Sequence, residues 1–98
     1  MTHRVILRPL ARADIHEACA WYDEQAPGLG DALSEALRML IGRIAEAPLS
    51  FPRVRGERRR ALLRRFRYAV YFYVQDDEVI VVAVMHTHRD PGAWQSRG

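Results

Sequence analysis

Two runs near the end of the chain, YAVYFYVQ (68–75) and EVIVVAVMH (78–86), restrict the fold more than any other part of the sequence. Both are rich in β-branched and aromatic residues. Asp76-Asp77 between them can supply the positive φ of a tight turn, so the pair predicts a β-hairpin. Side chains along a strand alternate between the two faces of its sheet. Phe66, Tyr68, Val70, Phe72 and Val74 then share one face, and Ala69, Tyr71 and Tyr73 share the other with Arg65 and Arg67. In the second run Val79, Val81, Ala83 and Met85 oppose Ile80, Val82 and Val84. Neither strand has a fully polar side, and a sheet of this kind has two faces to cover.

The earlier part of the chain supplies one cover. Residues 3–8 are β-prone and closed by Pro9, which predicts a first strand. From about residue 11 to 26, Ile15, Cys19, Tyr22 and Ala26 recur at spacings of three and four, one stripe of an amphipathic helix that Pro27-Gly28 ends. Leu29, Leu33, Ala36, Leu37, Leu40, Ile41 and Ile44 form a wider apolar face, stopped before Pro48. Two helices joined by so short a turn pack as an antiparallel hairpin. Residues 47–57, with Pro48, Ser50, Pro52 and Gly56, read as loop, and 59–64 as another strand.

The expected fold class is therefore α+β, in the order β-α-α-β-β-β. A small, mainly antiparallel sheet carries a helical hairpin on one face and ends in a short C-terminal turn or helix. Residues 1–98 have room for a single domain with one core. Asp90 has the character of a helix N-cap with Pro91 at the first helical position, which directs Trp94 back onto the body. The second sheet face is expected to remain open and to receive a partner. The competing arrangement folds the 47–57 loop and the tail over it.

Charge is concentrated in RVRGERRRALLRRFR, residues 53–67, where eight arginines face one acid, Glu57. The rest of the chain holds seven arginines against eleven acids. Such local density points to an anionic partner, nucleic acid or an acidic protein segment, although a few arginines also suit an exposed strand edge. The run lacks interleaved aromatics for base stacking, and the apolar second face suits an amphipathic peptide, so the acidic-protein reading is preferred.

Several chemistries are excluded. All fifteen basic residues counted at neutral pH are arginine, so no lysine can serve as a general base. The one cysteine, Cys19, allows no internal disulfide and lies on the helical stripe as core. Gly28, Gly30 and Gly42 have no phosphate-loop spacing. His86 and His88 find only Asp90 as a third ligand, so no metal and no cofactor is expected. No apolar run approaches ~20 residues and the N-terminus has no signal-like segment, so a cytoplasmic protein without membrane association is expected.

The sequence resembles the RelE/ParE superfamily of toxins from bacterial type II toxin–antitoxin systems. The resemblance runs from Arg8-Pro9-Leu10-Ala11-Arg12-Ala13-Asp14-Ile15, through Arg59-Arg60-Ala61-Leu62-Leu63-Arg64-Arg65-Phe66 and Tyr68-Ala69-Val70-Tyr71-Phe72-Tyr73, to Val82-Ala83-Val84-Met85-His86. The ending His86-x-His88-Arg89-Asp90-Pro91-x-x-Trp94 is its most specific part and favours the ParE branch. One departure is Arg67, where the family commonly has proline after the phenylalanine.

The ParE branch implies a non-enzymatic inhibitor of DNA gyrase, neutralised in a hetero-oligomer by a ParD-like ribbon-helix-helix antitoxin with an acidic C-terminal segment. Antitoxin contacts would fall on Arg58, Arg59, Arg60, Arg64, Arg67, Tyr71 and Tyr73, and target contacts on His88, Arg89 and Trp94. The RelE branch implies instead a ribosome-dependent mRNA endoribonuclease. Arg65, His86, His88 and Arg89 would then be its catalytic set.

Overall fold

The computed structural model describes residues 2–88 and 92–97. Its elements are β1 (Arg4–Leu7), α1 (Pro9–Gln25), α2 (Leu29–Glu46), a 3-10 turn (Pro48–Ser50), β2 (Arg53–Arg55), β3 (Arg58–Leu62), β4 (Tyr68–Gln75), β5 (Glu78–His86) and a final 3-10 turn (Ala93–Ser96). Pro9 occupies the first turn of α1, where its missing N–H has no helical partner to lose. Gly28 (φ +92°) takes the left-handed step between the helices, and α2 begins at Leu29. The Asp23 carboxylate accepts the Gly30 N–H at 2.8 Å, so α1 caps the first turn of α2.

The five strands lie in the order β1-β5-β4-β3-β2. The helical hairpin carries the chain from β1 at one edge to β2 at the other, and the antiparallel run β2 to β5 returns to lay β5 parallel to β1. The helices cover one face. Leu33, Leu37, Leu40 and Ile44 of α2 and Ala11 and Ala18 of α1 pack on Val70, Phe72, Val79, Val81 and Val84. Ile15, Cys19 and Tyr22 complete the α1 stripe at its margin. Burying each large aliphatic side chain contributes about 1.5–3 kcal/mol, which makes this layer the main source of stability.

Three expectations fail. Residues 53–55, read as loop, form the edge strand β2. Three residues cannot display a period of two, and only pairing with β3 and the inward Val54 create the strand. Second, the alternation along β5 breaks. Tyr71 pairs with Ala83 and Phe72 with Val81, leaving Val82 as the extra residue of a bulge. Parity flips there, so Val82, Ala83 and Met85 join Ile80 on the second face while Val84 turns to the helices.

Third, the second face is closed. The C-terminal segment crosses it and lays Trp94 flat on Tyr71, with ring centroids 4.8 Å apart and planes 9° apart. Tyr71 is 2% exposed and Trp94 6%. Val54, Tyr73 and Met85 fill the margins of this second core. The fold-back of Trp94 was expected; Asp90 and Pro91, offered as its helix start, lie outside the described residues.

Candidate functional site

The arginine run is held by the turn between β3 and β4. Phe66 (φ +73°) and Arg67 (φ +56°) are consecutive left-handed residues, and the Leu63 N–H closes the loop on the Tyr68 carbonyl at 2.8 Å. Proline is locked near φ −65° and could not adopt the Arg67 conformation. The departure from the family pattern at this position thus matches the turn the chain makes. The turn also binds the end of β5: the Arg67 carbonyl accepts the Thr87 N–H at 3.0 Å and the Thr87 hydroxyl at 3.1 Å.

Outside this turn lies a hollow of about 370 Å³ lined by Arg60, Arg64, Arg67, Leu62, Leu63, Thr87 and His88. Its arginines come from two segments, and among the described residues no carboxylate lines it. Arg67 Nη1 lies 3.1 Å from His88 Nε2; because arginine can only donate, the histidine nitrogen accepts. The Nε of Arg60 is buried and has no hydrogen-bond partner among the described residues. Arg64 makes no ion pair among the described residues. Among the described residues the arrangement is a cationic concavity with no acid in its lining.

The remaining arginines of the run have other duties. Arg58 stacks over the Tyr73 ring at 4.8 Å and donates to the Arg97 carbonyl at 3.2 Å. Arg59 points to the helical side and donates to the Phe51 carbonyl at 2.7 Å. Arg65 lies over the Phe66 ring at 4.7 Å and does not line the hollow. Arg53 approaches Glu57 at 3.9 Å on the surface.

The tail over the second face is fastened by an ion pair absent from the sequence-based candidates. Arg97 and Asp14 form a bidentate bridge at 2.9 and 3.1 Å. Arg97 also donates to the Val82 carbonyl at 3.1 Å, and Asp14 accepts the Val84 N–H at 2.9 Å. β1 ends opposite Val81, so the two side chains serve backbone groups of β5 that no neighbouring strand reaches. A signal was present: Asp14 is an acid beside Ala11, Ile15 and Ala18 on the inner side of α1. Nothing in the sequence paired it with Arg97.

His86 and His88 separate. His86 packs edge-on to Tyr68 and faces a second groove, about 640 Å³, whose α1 wall carries Asp14, Glu17, Trp21 and Glu24. His88 lines the cationic hollow; the two rings are 5.9 Å apart, and His86 Nδ1 accepts the His88 N–H at 3.1 Å. Tyr71 is covered by Trp94, and Tyr73 is held by Arg58 and by a 2.7 Å bond from Arg8 to its hydroxyl. Arg89 lies outside the described residues. Among the described residues no three histidines, cysteines or acids gather as a metal site, and no helix is long and apolar enough to cross a membrane.

Cys19 is a test of the α1 packing. Burial, and then the nearby charges of Asp23 and Asp31, raise its thiol pKa above the ordinary value. The thiolate is the reactive form. Alkylation by iodoacetamide at pH 8 is therefore expected to be slower in the folded chain than in denaturant, and to accelerate only at more alkaline pH. Equal rates in both states would contradict this packing.

The fold is shared with solved toxin–antitoxin proteins. A chain of the chromosomal ParDE TA system from P. aeruginosa superposes with a TM-score of 0.77 at 13% identity, covering 87% of this chain and 96% of that one. A chain of the RelBE2 toxin–antitoxin complex from Mycobacterium tuberculosis gives 0.62 at 21% identity, covering 88% and 99%. These place the molecule in a structural class. Its sequence is also 31% identical over 97 residues to Toxin ParE2 of M. tuberculosis, in both the CDC 1551 / Oshkosh and H37Rv strains, covering 98% of this chain and 92% of theirs. A family profile described as "ParE toxin of type II toxin-antitoxin system, parDE" matches residues 5–91. The chain belongs to this family of ParE toxins.

Proposed function

We propose that this ParE-family toxin inhibits DNA gyrase and is silenced by a ParD-like antitoxin in a cytoplasmic hetero-oligomer. The observation that carries the reading is the family match across residues 5–91, supported by a relative of nearly the same length. The basic residues suit an acidic antitoxin segment that wraps the β2–β3 edge, meeting Arg59 on the helical side, Arg58 beside Tyr73 on the other, and Arg60, Arg64 and Arg67 at the hollow. Tyr71 would join that contact only with Trp94 displaced. The residues proposed for target contact are His88, Arg89 and Trp94, the last through the tail it anchors on Tyr71.

The test is a supercoiling assay with purified gyrase, ATP and the purified chain. The expected result is loss of supercoiling with accumulation of cleaved DNA after protein denaturation, reversed by the antitoxin encoded beside it. Full supercoiling at excess toxin would reject the reading. One observation favours a second activity: His88 stands among three arginines, a pairing of proton-transfer and phosphate-stabilising groups. A ribosome-dependent endoribonuclease of this kind would cleave mRNA on programmed ribosomes and lose that cleavage in His88→Ala. Intact mRNA would reject it for the messages tried.

A further inference from the structure

We infer that the groove between α1 and the end of β5 is a docking site for a basic amphipathic helix of a protein partner. It uses none of the residues assigned above to antitoxin or target contact. Glu17, Trp21 and Glu24 follow one another at spacings of four and three on α1, so they share one helix face, and all three line the groove. Trp21 is 43% exposed, a large indole placed outside both cores. Ala20 keeps the wall low beside it, and Met85, His86 and Ala93 form the facing side.

Charge decides the occupant. Of the carboxylates in the groove, Asp14 is held by Arg97, while Glu17 and Glu24 make no ion pair among the described residues. An acidic segment is repelled there. A lysine or arginine gains both carboxylates and the indole ring beside them. Exposed tryptophan at a concavity is also the residue type that most often anchors a protein interface. The same face of α1 continues back to Leu10, 59% exposed and roughly 16 Å away along the axis at 1.5 Å per residue. An amphipathic partner helix of about three turns spans that distance, with its apolar residues on Leu10, Ala20 and Trp21 and its cations toward Glu17 and Glu24.

The experiment measures, by fluorescence anisotropy at low salt, binding of a labelled peptide to the whole chain. The probe is an amidated peptide of leucine and lysine in an amphipathic helical pattern, about 18 residues long so that it can form a helix. Trp21→Ala is expected to weaken binding about tenfold, and Glu17→Gln/Glu24→Gln about fivefold. Glu35→Gln/Glu46→Gln removes the same charge from exposed positions of α2 and should leave the affinity within about twofold. A shuffled peptide of the same composition should bind at least about fivefold more weakly, since its apolar residues no longer share a face. The pattern with glutamate in place of lysine should show no dependence on Trp21. Circular dichroism checks that each variant is folded, and the exposed Glu17 and Glu24 test the site even where Trp21→Ala is not.

Four results would each overturn the assignment: no binding of the basic peptide, equal losses in the two glutamine pairs, equal affinity for the shuffled peptide, or Trp21-dependent binding of the glutamate peptide. The last would give the groove to an acidic segment. Sedimentation of the chain alone adds a fifth: self-association abolished by Trp21→Ala would give the groove to a second copy of this chain. None of these results bears on whether gyrase is inhibited, so failure here is distinguishable from failure of the proposed function.

Discussion

Gly30→Ala is expected to lower stability by about 3 kcal/mol, whereas Gly42→Ala in the same helix should raise it by ~0.5–1 kcal/mol. A Cβ on Gly30 would stand 2.4 Å from the Cys19 carbonyl oxygen and 2.6 Å from the Asp23 side chain. The carboxylate can swing away, but the carbonyl belongs to the α1 backbone and cannot, so α2 has to move off its partner. Such a displacement also lengthens the 2.8 Å bond from the Gly30 N–H to Asp23. Gly42 has nothing within 4 Å of the corresponding position, and there alanine only removes the entropy cost of glycine in a helix.

For a chain of this size the first change lowers the thermal midpoint by roughly 12–20 °C. Thermal unfolding of the two single variants checks both signs. A midpoint change within about 2 °C for Gly30→Ala would show that the helices are not in such close contact.

Asp14→Ala is expected to cost a similar amount, about 3 kcal/mol. The carboxylate is 13% exposed and the Arg97 side chain 18%, so solvent cannot fully replace either partner. Removing Asp14 leaves a guanidinium without its ion pair and the Val84 N–H without its acceptor. Asp14→Asn keeps an acceptor for Val84 and should fall between the two. Because Arg97 is the far anchor of the segment that carries Trp94, the second expected effect is greater exposure of Trp94.

Denaturant unfolding gives the first quantity. The red shift of tryptophan emission, read in a Trp21→Phe background, gives the second. A double-mutant cycle with Arg97→Ala separates the pair from its backbone bonds. Unchanged stability with an unshifted spectrum would show that the stack on Tyr71 alone holds the tail.

The candidate site was legible in part. The density of arginine in residues 53–67 is visible to inspection, and three of its members, Arg60, Arg64 and Arg67, do share one hollow with His88. Arg58 and Arg59 are adjacent in sequence yet leave the sheet on opposite faces, one over Tyr73 and the other toward the Phe51 carbonyl. Arg65 is diverted by the left-handed step at Phe66 and Arg67, which no composition count could reveal. Asp14 and Arg97, 83 residues apart, were missed as a pair because charge complementarity in a sequence has no address.

What the sequence by itself determined is local and periodic: two helices with their apolar stripes, a β4–β5 hairpin turning at Asp76 (φ +57°), a short β1, and a concentrated basic stretch. Each of these follows from spacing or propensity within a window of neighbours. The tertiary structure alone decided that β2 is a strand, that the bulge at Val82 reverses the facing of Ala83, Val84 and Met85, and that Trp94 closes the second face. The physical reason is that these outcomes depend on contacts between distant segments and on backbone geometry at single residues. A hydrophobic pattern records that a face must be buried, but it does not record what buries it.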